Sequence, residues 1–144
     1  MLTSTERFYM SENEAVRQWL DKALSDRKAI EILTKDAEPP FDSVCFHCQQ
    51  YIEKLLKAVI TKHGREVQKT HDIRKLAEAV DSFVPGLTEL IDTADRLTIY
   101  GVEIRYPARF TTITPQKAKE AVEIAETVGK ILLAYLGEKR NEQA

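Results

Sequence analysis

A chain of 144 residues fits one domain of ordinary size, long enough to bury roughly 70% of its unfolded surface around one core. Hydrophobic residues at 43% and charged residues at 31% are too apolar for a disordered chain and too charged for a bilayer. A net charge of −2 argues against a general polyanion binder, and no apolar run or basic N-terminal leader marks a membrane span or an export signal, so a cytoplasmic protein is expected.

Apolar residues recur at spacings of three and four along every long segment, which predicts five helices and no strand. The first is expected to begin at Ser11, with Glu14 completing a capping box, to bury Val16, Trp19, Leu20, Ala23 and Ile30, and to be ended by Pro39-Pro40. Asp42 is the expected N-cap of the second. Its stripe runs through Cys45, Cys48, Tyr51, Ile52, Leu55, Leu56, Val59 and Ile60, and Gly64 supplies a left-handed closing residue. A third helix is expected from Thr70 or Asp72 to Val84-Pro85, and a fourth from about Leu87 to Tyr100. The segment from Gly101 to Thr114 loses the helical period and contains Pro107, which predicts a loop over one end of the bundle. Thr114-Pro115 restarts helix, with threonine capping and proline at the first helical position, and the pattern runs to Gly137 before a polar tail. Short connections between long amphipathic helices imply antiparallel neighbours, hence an all-α, up-and-down bundle in a single domain over residues 1–144.

The residues that could carry chemistry are few. Cys45 and Cys48 with His47 between them suggest a metal or redox site, but only His63 and His71 remain as further strong ligands. Two small core residues on one helical face is the simpler reading, and no metal or other cofactor is expected. No G-x-S-x-G turn and no glycine-rich phosphate loop is present. From Glu53 to Lys75 seven cations face three acids, a local excess of +4 on a body of −6, able to guide one anion without general stickiness. The stretch Tyr100-Gly101-Val102-Glu103-Ile104-Arg105-Tyr106-Pro107-Ala108-Arg109 offers arginine forks for phosphate and tyrosine for a base. The same residues could equally close the end of the bundle, with Arg105 on loop carbonyls and Tyr106 as a plug.

Four groups of residues then fall in order: Trp19 and Ala23; Phe46-His47-Cys48-Gln49-Gln50-x-x-Glu53-Lys54-x-x-Lys57-Ala58; Thr70-His71-Asp72-Ile73 with Leu76; and Tyr100 with Arg105-Tyr106-Pro107. Together they resemble the HEPN domain family over about residues 12–136. The resemblance implies a four-helix up-and-down bundle with one additional short helix, often a homodimer, associated with nucleotides or RNA. It further implies a small nucleotidyltransferase partner, as in toxin-antitoxin pairs. Nucleotide contacts are expected from Arg105, Tyr106 and Arg109, with His71, Lys54 and Lys57 contributing. Ribonucleases of the family carry an Arg-x4-6-His motif near the last helix. Here no histidine follows His71, and the spacing of Arg65 to His71 falls between the second and third helices, so no catalytic residue is assigned. A binding module is therefore the leading expectation. A metal-independent ribonuclease using His71 with Arg65 or Arg105 is the alternative, and a purely structural interaction subunit the third.

Overall fold

The computed structural model describes residues 4–102 and 112–138, with side chains from 13 to 101 and from 112 to 138. Among them all regular structure is helical: α1 (Ser4–Thr34), α2 (Phe41–Lys62), α3 (Ile73–Glu78), α4 (Ile91–Asp95), α5 (Ile99–Val102) and α6 (Pro115–Tyr135), with a 3₁₀ turn at Thr88–Leu90.

Helix α2 is the hub, packed against α1, α3, α5 and α6. Ile52, Leu55, Leu56 and Val59 are fully buried at its centre and join Leu20, Ala23, Ile73, Leu76, Leu97, Val128 and Leu132 in one core. Asp26 of α1 reaches His47 and Lys54, while Trp19, two turns earlier, lies under Lys57, so α1 and α2 run antiparallel. Ala118 near the start of α6 lines a groove with Phe41 and Val44, and Tyr135 at its end meets His63, so α6 runs parallel to α2.

Several termini follow local chemistry. Asp72 accepts from the Lys75 amide at 3.2 Å, and Thr114 Oγ1 from the Lys117 amide at 3.1 Å, with Pro115 at the first helical position. Gly64, at φ 67°, closes α2: its amide donates to Thr61 and the Arg65 amide to Ile60, the paired bonds of a Schellman end.

Other boundaries differ from the sequence pattern. Backbone is already helical at Ser4, so the Ser11-Glu14 box does not start α1. That helix ends at Thr34, whose hydroxyl turns back to the Ile30 carbonyl at 2.8 Å, before the proline pair is reached. Pro40, not Asp42, is the N-cap of α2, and Asp42 sits in its first turn where the helix dipole favours an acid. The third and fourth helices are not continuous. After Glu78 the amides of Val80 and Phe83 bond three residues back, and so do those of Arg96, Leu97 and Thr98. Tertiary contacts hold these breaks. Phe83 stacks on His63 at 3.9 Å between ring centroids, and Thr98 Oγ1 accepts from the Ile73 amide while donating to Asp95. Between α2 and α6 the chain thus forms three short helices where two longer ones were expected.

Candidate functional site

Along α2 the partly exposed residues Phe46, His47, Gln50, Lys54 and Thr61 recur at helical spacing, so they share one side of a helix whose other sides are buried. Beside them Gln49, Glu53 and Lys57 stand one turn apart. All three are buried polar side chains, with Glu53 3% and Lys57 7% exposed. The floor of this furrow is therefore polar although it lies inside the bundle, with α1 on one flank and the start of α3 on the other.

Its hydrogen bonds are complete. Glu53 Oε1 accepts from Gln49 Nε2 at 3.0 Å and from His71 Nδ1 at 2.8 Å, and Oε2 accepts from Lys57 Nζ at 3.0 Å. Gln49 Nε2 also donates to the His71 carbonyl at 3.0 Å, and Gln50 Nε2 donates to Gln49 Oε1 at 2.7 Å. Lys57 Nζ lies 5.4 Å from the centre of the Trp19 ring. Burial pushes the Glu53 carboxyl upward, but the bonds from Gln49, His71 and Lys57 and the Lys57 charge outweigh it, leaving its pKa below the ordinary value. Glu53 is thus ionised at neutral pH. His71 must carry its proton on Nδ1, which leaves Nε2 of its half-exposed ring as the acceptor.

A second cluster stands on the α1 flank. Asp26, 8% exposed at its side chain, accepts from His47 Nδ1 at 2.7 Å and from Lys54 Nζ at 2.6 Å. The furrow therefore holds two histidines, each gripped at Nδ1 by a buried carboxylate, with the far nitrogen left for a ligand. Gly101 of α5 closes against the same ridge. A Cβ there would lie 2.5 Å from Gln49 Cδ, so only glycine allows α5 this approach.

Of the residues expected at the site, His71, Lys54 and Lys57 meet in this furrow, whereas Arg105, Tyr106 and Arg109 lie outside the described residues. The two lysines are partners of buried acids. The +4 stretch is likewise largely engaged: Lys62 donates to the Tyr135 carbonyl, Arg65 to the Ala79 carbonyl and Arg74 to Asp92 and Asp95. Arg65 also stacks on Phe83, so it and His71 are held by different partners. Cys45 and Cys48 are free and fully buried. Burial, then the charge of Asp42, pushes the Cys45 thiol up to about 12, and burial raises Cys48 as well, so neither is a ready nucleophile. Among the described residues no group of three or more His, Cys, Asp or Glu could hold a metal ion, and no helix is long and apolar enough to cross a membrane.

Asp26, Gln49, Gln50 and Glu53 were not singled out as site residues by sequence reasoning, and His47 was weighed only as a metal ligand beside the cysteines, yet three of these leave a trace in the sequence. Asp26 falls on the apolar stripe of Trp19, Ala23 and Ile30, and Gln49 and Glu53 precede Lys57 at intervals of four inside an otherwise apolar helix. A polar residue on a buried face needs a partner, and that is the signal.

The HEPN domain family model matches residues 16–135, most of the chain and the whole of the furrow. No curated protein and no solved structure matches.

Proposed function

Because the chain belongs to the HEPN domain family, which is associated with nucleotides and RNA, we propose that it is a single-domain cytoplasmic binding module that takes a nucleotide or an RNA end in the α2 furrow. It works as a homodimer beside a small nucleotidyltransferase, as in toxin-antitoxin pairs. The observation that carries this reading is the pair of histidines, His47 and His71, each fixed by a buried carboxylate with its outer nitrogen open to a phosphate or ribose oxygen. Arg105, Tyr106 and Arg109 supply phosphate forks and a stacking ring. Arg105 follows Gly101 by four residues, a reach of at most about 14 Å from the ridge. Lys54 and Lys57 contribute positive charge from the furrow floor while holding Asp26 and Glu53 in place.

Titration calorimetry of ATP and a short RNA into the full chain tests this, with Arg105→Ala and His71→Gln alongside and salt varied. Binding is expected to weaken at least about tenfold in either variant and to fall with salt. Unchanged affinity in both variants refutes the site. Co-purification with a nucleotidyltransferase encoded next to the gene tests the partner, and a chain that elutes alone and monomeric speaks against it. The Glu53–His71 pair also favours a second reading, a metal-independent ribonuclease, because a carboxylate-held imidazole can take a proton from a ribose 2′-hydroxyl. RNA cleavage in the presence of a chelator, abolished by His71→Gln, is its expected signature, and cleavage that survives the substitution removes it.

A further inference from the structure

Gln49 and Gln50 form a relay whose direction is fixed from inside the protein. Gln49 faces two groups that can only accept, the Glu53 carboxylate and the His71 carbonyl, so its amide nitrogen must point at both, 3.0 Å from each. Its oxygen must then receive a donor, and Gln50 Nε2 supplies it at 2.7 Å. The Gln50 oxygen is left turned away from the relay. Every buried side-chain nitrogen or oxygen has a partner, and Gln50 Oε1 has none among the described residues, so it is not buried. An amide side chain usually flips to offer whichever end a ligand needs. Flipping this one would set two carbonyl oxygens against each other at 2.7 Å, so the furrow presents a fixed acceptor. It lies one turn from His47 on one side and one turn from Lys54 on the other.

Resting on the nucleotide site proposed above, we infer that Gln50 determines base specificity: its Oε1 accepts from an exocyclic amino group, so the site takes adenine or cytosine over the oxo bases hypoxanthine and uracil. An oxo base brings a second acceptor against Oε1 where adenine and cytosine bring a donor, so it must shift to offer its ring N–H instead. A fixed acceptor disfavours such analogues because the relay behind it prevents the amide from turning its nitrogen outward.

The test is calorimetric binding of AMP, IMP, CMP and UMP, and of hexaadenylate and hexainosinate RNA, to the full chain and to Gln50→Lys. The wild type is expected to bind AMP about tenfold more tightly than IMP, and CMP more tightly than UMP, with the same order between the hexamers. The tighter of the free and polymeric forms identifies which of them the furrow takes. Lysine can still donate to Gln49 but offers only donors outward, so Gln50→Lys is expected to invert the preference towards IMP and UMP. Should that variant not fold, the wild-type comparison alone decides. Equal affinity of the wild type for AMP and IMP overturns the specificity while leaving nucleotide binding intact. Failure of every nucleotide and hexamer to bind removes the underlying reading, and the inference with it.

Discussion

Replacing Glu53 by glutamine keeps the shape of the side chain and removes its charge, which isolates what the ion cluster does for the fold. In the native protein Glu53 and Lys57 are 5% and 8% exposed at their side chains, 3.0 Å apart, and Glu53 carries two further hydrogen bonds. The glutamine leaves Lys57 as a buried charge without its counterion and turns an NH₂ towards donors. Breaking a buried pair in this way costs about 3–5 kcal/mol, against a total stability of about 5–15 kcal/mol for a domain. At about 3 °C per kcal/mol for this length, the melting temperature should fall by roughly 10–15 °C. Urea unfolding followed by circular dichroism measures the loss, with an unchanged denaturant slope as the check on two-state behaviour. Adding Lys57→Met removes the stranded charge and should restore at least about half of the stability. The pH dependence has a definite sign. The folded pKa of Glu53 lies below its ordinary value of 4.5, so its contribution is fully present above that value and is lost as pH falls through the lowered one. The gap between wild type and Glu53→Gln should close in acid. A penalty below about 1 kcal/mol at neutral pH, or additivity of the two substitutions, would refute the view that this cluster acts as one unit.

Further substitutions test the packing around the furrow. Gly129→Ala places a Cβ 2.6 Å from Tyr51 Cε2, so the ring must move, and a loss of about 1–3 kcal/mol is expected in the same unfolding assay. Thr98→Val removes the acceptor of the Ile73 amide and should cost about 1–2 kcal/mol, visible as early hydrogen exchange at the start of α3. At high pH, burial has raised Cys45 from 9 to about 12 and Tyr100 from 10 to about 12. The unfolded chain therefore loses these protons first, and stability should decline as pH rises from about 9 towards 12. The two thiols should react with a disulfide reagent at pH 8 only after denaturant is added, and rapid labelling of the native chain would contradict their placement in the core.

Much of this protein is written in local order. Asp72, Thr114-Pro115 and Gly64 each mark a terminus that the structure has, because capping needs only neighbours in sequence. The periodic stripes likewise gave helices among the described residues and most of the core, the Cys45-Cys48 pair included, although Val16 and Trp19 are only partly buried, and four short motifs sufficed to place the chain in its family. Tertiary structure decided the rest. Spacing alone reads Lys54 and Lys57 as cations offered to a ligand, since one helix does not reveal which neighbour covers it. Only when α1 brings Asp26 across, and the ridge folds Glu53 inward, do both become partners of buried acids. Ser11 and the regular pattern after Asp72 illustrate the same limit. Helix propensity is worth a few tenths of a kcal/mol per residue, and contacts such as Phe83 on His63 or Thr98 on Ile73 outweigh it where the chain must turn. The furrow exists because polar residues spaced for one helix face find their partners on two other segments, and that meeting is a property of the packed chain.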